Sequence, residues 1–293
     1  MGEISRDILP PGVLNILAGG DNLGPWITSH PGIDKISFTG SVATGKKVLA
    51  SASSNLKRVT LELGGNDAAI VLEDVDIAKV APQIFWAAFA NSGQICVAVK
   101  RLYVHESIYE PFCQALAEIA RSVKVGDGMD PESRIGPIQN KMQFDKVVGF
   151  LEDTKRQGVR VLAGGHALKG PGYFIEPTIV ADIKEGTRLV DEEPFGPILP
   201  VIRYSDIEDV IRRANDTRYG LGASVWTKDI ERGAQIAARL EAGTTWVNQH
   251  SLPDALVPFG GAKESGLGRE YSALGLKSYM EAQVIHVPST RGN

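Results

Sequence analysis

The stretch Phe89-Ala90-Asn91-Ser92-Gly93-Gln94-Ile95-Cys96-Val97 decides how this chain of 293 residues is read. An apolar run from Ile84 to Phe89 stops in a short polar segment, which holds Gly93 and sets one cysteine between two aliphatic residues. The pattern predicts a helix ending near Phe89 and a loop that aims the Cys96 thiol into a pocket. Gly93 gives that loop a left-handed turn, or a point where other backbone comes close. A thiol attacks as its thiolate, so Cys96 then needs a nearby base or a lowered pKa. The plain alternative is a cysteine packed as a small hydrophobe. Cys96 alone does not choose between them.

Working outward, strands and helices alternate, which predicts an α/β fold with parallel sheets and crossover helices. Upstream, strands are expected over 13–17, 35–39 and 58–63, with a helix over 42–52. A buried strand follows at 68–72, and Asp74 or Asp76 is placed to cap the next helix. Downstream, strands are expected at 101–105, 159–163, 198–204, 223–227 and 244–248. Helices are expected at 109–123, 141–157, 207–215 and 230–240. The tail over 280–287 alternates in a way that suits an edge strand in need of a partner. The chain opens mid-pattern: the βαβ unit and glycine-rich turn that normally begin a doubly wound sheet are missing.

Composition narrows the function. Hydrophobic residues make up 43% and charged residues 23%, ordinary values for a soluble globular protein. A net charge of −4 gives no footprint for nucleic acid or an anionic membrane. Two cysteines argue against a disulfide framework and for a reducing compartment. Cys113 falls among Phe112, Leu116 and Ile119 at helical spacing and reads as core. His30, His105, His166, His250 and His286 show no metal spacing, so no metal site is expected. No apolar run reaches transmembrane length, and the first residues lack a signal peptide's pattern. A cytoplasmic protein is expected.

Four further stretches carry chemistry. Phe38-Thr39-Gly40-Ser41-Val42 runs from a strand through glycine into a helix, whose free N–H groups suit a phosphate. An ordinary turn with Ser41 as N-cap fits as well. Glu62, at the end of the apolar strand before Leu63-Gly64-Gly65, is either a desolvated general base or an acid paired with Lys57 or Arg58. Glu192-Glu193-Pro194-Phe195-Gly196-Pro197 is a rigid loop that sets a carboxylate beside an aromatic ring, suited to a ribose and a planar base. Pro258-Phe259-Gly260-Gly261 is a glycine-rich loop able to close over a site, with Phe259 as a wall.

Together and in order, FTGSVATG, LELGGN, FANSGQIC, EEPFGP, NDTRYGLGASVWT and VPFGGAKESGLGRE resemble the aldehyde dehydrogenase superfamily. The resemblance runs from about Pro10 to Val287 and covers only the later part of the family's pattern. It implies a partial Rossmann-type cofactor domain over 1–62, an α/β catalytic domain over 63–264, and a return segment with an oligomerising strand over 265–293. It implies oxidation of an aldehyde to an acid with NAD or NADP, through a thiohemiacetal and a thioester on Cys96. Glu62 matches the base that activates water for deacylation, and the Cys96 N–H one oxyanion donor. The family's second donor, an asparagine, belongs to the part upstream. Gly40, Ser41, Leu63 and Gly64 match the cofactor turns, Glu193 and Phe195 the nicotinamide end, and Gln143 and Lys146 weaker ribose contacts.

Ala90, Ile95, Val97, His250 and Phe259 are expected around the substrate, and the small Ala90 favours an apolar aldehyde of moderate bulk. Asn66 stands where many members have lysine. The expected partners are a small-molecule aldehyde and further copies of the chain, as a dimer or tetramer through the C-terminal strand. Two rival readings are a cysteine hydrolase with His250 as base and a truncated, non-catalytic subunit. These 293 residues alone are expected to be inactive or weak.

Overall fold

The computed structural model describes residues 2–252 and 254–288. In chain order its elements are α1 (Gly2–Arg6), α2 (Leu23–Ser29), β1 (Lys35–Thr39), α3 (Val42–Ala52), β2 (Arg58–Glu62), β3 (Asp67–Val71), α4 (Ile77–Phe89) and β4 (Val99–His105). Then come α5 (Tyr109–Ser122), α6 (Lys141–Arg156), β5 (Arg160–Ala163), β6 (Thr178–Ala181), α7 (Arg188–Asp191), β7 (Ile198–Tyr204) and α8 (Ile207–Asn215). The chain closes with β8 (Tyr219–Gly220), β9 (Gly222–Trp226), α9 (Ile230–Ala237), β10 (Thr244–Val247), β11 (Ala262–Lys263), β12 (Gly266–Leu267) and α10 (Ser272–Lys277).

The larger sheet has the order β10-β9-β3-β4-β7-β6-β5. Its pairs are parallel except β5 with β6. Its central strands are buried on both faces. Ala68 and Ile70 of β3 enter one core with Tyr103 and Val225, while Ala69 and Val71 enter the other with Leu102 and Val201. This is the two-residue alternation of a strand. Burial on both faces is also why β3 and most of β4 read as apolar runs. Cys113 sits in the second core, fully buried.

A smaller sheet has the order β1-β2-β12, and β11 and β8 pair separately as an antiparallel two-stranded ribbon. β1 and β2 run parallel, with Thr39 opposite Glu62, and β12 returns antiparallel, with Gly266 opposite Glu62. Residues near the chain's end are thereby brought back to the tip of β2. Helix α3 covers this sheet through Val48 and Ala52, which pack with Ile36, Leu61 and Leu63. The approach is close enough that a Cβ on Gly45 would lie 2.5 Å from Leu63 Cδ2.

The structure departs from the sequence reading at both ends. Residues 13–17 form no strand; Val13, Leu14, Ile16 and Leu17 are exposed, with no ladder partner among the described residues. Strand propensity becomes a strand only where a neighbour takes up the backbone hydrogen bonds. The same holds for 280–287, which is also not a strand within one chain; Val284, Ile285 and Val287 are exposed, while Arg58 ties back the Met280 carbonyl and Glu281. Between these ends, β6 forms where no strand was expected. Asp76 precedes α4 without capping it through its side chain. Asp74 instead accepts hydrogen bonds from Thr227 Oγ1 and the Lys228 N–H.

Candidate active site

A cleft of about 530 Å³ opens between the two sheets. The C-terminal ends of β1 and β2 lead into part of its lining, Thr39-Gly40-Ser41 and Leu63-Gly64. The remainder is Gln94, Ile95 and Cys96, Gln143 and Lys146 of α6, and Glu193 and Phe195 of the loop before β7. Every residue expected at the cofactor thus lines one cleft with Cys96. Ser41 is both N-cap and lining residue: its Oγ accepts from the Thr44 N–H at 3.2 Å, and the first turn of α3 begins at the cleft.

The cysteine loop is held in an uncommon conformation. Asn91, Ser92 and Gly93 all have positive φ, at 52°, 58° and 69°. Three left-handed residues in succession persist only when the surroundings enforce them. Ser92 is buried and donates to the Gly136 carbonyl at 2.8 Å. At Gly93 a Cβ would lie 2.3 Å from the Gly196 carbonyl oxygen. Both reasons for a glycine there hold, and the backbone it admits is that of the Glu192–Pro197 loop. Cys96 is half-buried. Burial pushes its thiol above the ordinary range, and the nearby Lys100 ammonium acts in the opposite sense. Among the described residues the Cys96 N–H has no hydrogen-bond acceptor, leaving it free to meet an oxyanion.

Glu62 lies beside the cleft, not in its lining. Its residue is 4% exposed, and both carboxylate oxygens lack a hydrogen-bond partner. Neither Lys57 nor Arg58 satisfies it: Lys57 Nζ donates to His30 O and Asn55 Oδ1, and Arg58 turns to Met280 and Glu281. Gly260 packs so closely that a Cβ on it would lie 2.7 Å from Glu62 Oε1. The Pro258-Phe259-Gly260 loop therefore does close over this carboxylate. Burial first, and then the charge of Glu270, push the Glu62 pKa up to about 8, against a smaller pull from Arg269. A carboxyl poised there can take a proton near neutral pH.

The remaining contacts arrange the cleft. Gln143 Nε2 donates to the Pro194 and Phe195 carbonyls at 2.8 and 2.9 Å, and Lys146 Nζ to the Glu193 carbonyl at 2.9 Å. Both residues hold the Glu192–Pro197 loop against α6. Glu193 Oε1 accepts from the Gly65 N–H at 3.1 Å. Ile95, Cys96 and Phe259 pack on the apolar cluster of Val97, Leu221 and Trp246. Ala90 is half-buried at the end of α4, outside the cleft lining.

His250 belongs elsewhere. Its side chain is 0% exposed, close to Asp67 at 3.6 Å. Nδ1 pairs with Ser224 Oγ at 2.9 Å and Nε2 with the Val97 carbonyl at 2.8 Å. With both nitrogens engaged behind the loop, His250 neither lines the cleft nor serves Cys96 as a base, which removes the partner of the hydrolase reading.

Lys100 and Gly65 were not expected at the site. Lys100 donates to the Ile95 and Cys96 carbonyls, and a Cβ on Gly65 would lie 2.5 Å from the Cys96 carbonyl oxygen. The available signal was a Lys100-Arg101 pair opening an otherwise apolar strand. Arg101 explains itself structurally, donating to the Asn66 and Ala214 carbonyls.

Comparison with known proteins decides the family. The model of the aldehyde dehydrogenase family matches residues 1–285. The chain belongs to the aldehyde dehydrogenase family. It is 43% identical over 292 residues to a mitochondrial aldehyde dehydrogenase of Leishmania tarentolae, covering 99% of this chain and 59% of that one. It is 40% identical over 287 residues to a Fusarium aldehyde dehydrogenase, covering 97% and 61%. The solved aldehyde dehydrogenase of Mycobacterium tuberculosis, complexed with NAD+, superposes with a TM-score of 0.93 at 38% identity over 97% of this chain and 59% of that one. The NAD+ complex of the Bacillus cereus enzyme gives 0.86 at 42% identity, over 88% and 52%. The chain thus spans about 60% of the length of the curated relatives it matches. The α/β fold is the one these aldehyde dehydrogenases share.

Proposed function

We propose that the chain carries the catalytic cysteine and much of the cofactor cleft of an enzyme that oxidises an aldehyde to a carboxylic acid with NAD or NADP. The observation that supports this best is the meeting of Cys96, the start of α3, Glu193 and Phe195 on one cleft, with an unpartnered carboxylate buried beside it. The donors fit a dinucleotide. Gly40 and Ser41 offer a helix start for phosphate, Glu193 offers a carboxylate that would suit a ribose hydroxyl, and Leu63, Ile95 and Phe195 give apolar walls. Bound there, NAD or NADP supplies the hydride acceptor.

The chain's own residues supply the nucleophile, one oxyanion donor and the base. The Cys96 sulfur bonds to the aldehyde carbon, and the Cys96 N–H faces the oxygen as it becomes negative. Glu62 takes a proton from the water that releases the acid. Of the apolar residues expected around the aldehyde's substituent only Ile95 lines the cleft; Val97 and Phe259 lie outside the lining, in the apolar cluster that packs against Ile95 and Cys96. The activity is expected of the longer arrangement the relatives share, and these 293 residues alone are expected to be inactive or weak. The test is NADH or NADPH formation across a panel of aliphatic and aromatic aldehydes with each cofactor, with NAD-dependent quenching of tryptophan fluorescence in this chain as a companion. Absence of cofactor binding together with hydrolysis of simple esters would overturn the reading in favour of a hydrolase.

Residues 280–287 are proposed to pair with a second copy, since alternating apolar residues left in solvent invite strand addition. Ending the chain after Tyr279 is expected to yield smaller species on a calibrated column or to reduce solubility. Unchanged size with full solubility would count against it. Among the described residues no helix is long and apolar enough to cross a membrane. A cytoplasmic location is part of this reading, supported by the two free cysteines.

A further inference from the structure

We propose that Lys100 is a positioning residue for the Cys96 nucleophile, holding the two carbonyls that flank Cys96 so that the neighbouring N–H groups are turned towards the reacting sulfur and oxygen. The inference rests on Cys96 being the nucleophile. Lys100 stands near the start of β4, with its side chain 3% exposed. Its Nζ donates to the Ile95 carbonyl at 2.8 Å and to the Cys96 carbonyl at 2.7 Å. Glu193 Oε1 lies 3.5 Å from the same nitrogen. An ammonium has three donors and no acceptor, so two are committed to the Ile95 and Cys96 carbonyls and the third is shared between the Ala98 carbonyl and Glu193, each at 3.5 Å.

The consequence follows from peptide geometry. A trans peptide sets its N–H opposite its C=O, and the described chain has no cis peptide bonds. Drawing the Ile95 carbonyl towards Lys100 turns the Cys96 N–H away from it. Drawing in the Cys96 carbonyl does the same for the Val97 N–H, which pulls the pKa of the Cys96 thiol down. One buried cation therefore contacts both peptides around the nucleophile, the Ile95 carbonyl also accepting from the Ala98 N–H at 3.1 Å. Burying an ammonium is costly unless it is paired and hydrogen-bonded. A side chain serving only to fill space there would be apolar. Through Glu193, which also accepts from the Gly65 N–H, the same cation joins the cysteine loop to the loop proposed to hold the ribose.

The test reads thiol chemistry, not dehydrogenase turnover. The 293-residue chain is alkylated with iodoacetamide across a pH series, and the modified cysteine is assigned by peptide mass. Cys113 is the internal control, since it is buried and its thiol is pushed up to about 12. In Lys100→Met, folded by circular dichroism, the pH midpoint for Cys96 is expected to rise by about 1 unit. Alkylation near neutral pH should then slow about tenfold. Lys100→Arg, which keeps the charge, should restore part of the rate. An unchanged profile in folded Lys100→Met overturns the proposal. Should that variant not fold, Lys100→Gln is read in the same way, and an unchanged Cys96 midpoint in the folded variant overturns the proposal. If wild-type Cys96 reacts no faster than Cys113, the nucleophile assignment itself fails, and this inference with it.

Discussion

Cys96→Ala is expected to lower aldehyde oxidation by about 10⁴-fold or more in the active form of the protein, leaving NAD affinity nearly unchanged. Covalent catalysis has no substitute when its nucleophile is removed. The flanking Ile95 and Val97 are inert, and Cys113 is buried in the core of the large sheet, away from the cleft. Cofactor affinity should survive because the groups proposed to hold the dinucleotide come from other segments, at Gly40, Ser41 and Glu193. Steady-state rates and a cofactor titration on the same preparation check both halves. Aldehyde oxidation within tenfold of wild type would remove Cys96 from the mechanism. A parallel loss of NAD affinity would mean that the thiol also shapes the cleft.

Glu62→Gln is expected to separate the two halves of the reaction. The first turnover should form one NADH per site at close to the wild-type rate, and the steady state should fall by about 10²–10⁴-fold, the usual contribution of a general base. An equal fall in both phases would assign Glu62 to activation of the thiol. The same substitution has a stability signature whose sign follows from the raised pKa. The ordinary value is 4.5 and the folded value about 8, so between these limits the folded chain holds a proton that the unfolded chain has released. Stability from this group is therefore fully present below about 4.5 and is lost as pH rises towards 8. Glutamine does not titrate. The Tm of Glu62→Gln should gain on the wild type as pH rises from about 5 to about 8, and a Tm difference independent of pH would mean that Glu62 ionises normally in the fold.

Much of the architecture was legible because local pattern and tertiary role agree. Lys35–Thr39, Val42–Ala52, Ile198–Tyr204 and Ile207–Asn215 have the bounds their periodicity predicts. The helices Val42–Ala52 and Ile207–Asn215 bury the face their apolar spacing marks, and Ile198–Tyr204 is an apolar run buried on both faces. The same logic failed for 13–17 and 280–287. Their composition suits a strand, but a strand requires an adjacent ladder, and one chain's described residues supply none. The short β6 was not expected because all four of its residues are buried and it shows no apolar–polar alternation.

For the site, the sequence by itself determined the cast: a lone loop cysteine, a glutamate at a strand end, a glycine turn into a helix and a rigid acid–aromatic loop. The order of those motifs was enough to point to the family. Only the tertiary structure decided the roles that depend on distance and solvent. It left Glu62 buried without a cation, where the sequence allowed a salt bridge with Lys57 or Arg58. It drew His250 behind the loop to Ser224 and the Val97 carbonyl, and it turned Gln143 and Lys146 into supports for the Glu192–Pro197 loop. It also set Lys100 under the nucleophile, in contact with the Ile95 and Cys96 carbonyls. The physical reason is common to all four. A side chain's type is written in the sequence, but its desolvation and its partners come from segments far away along the chain, and those two quantities determine what an ionisable group does.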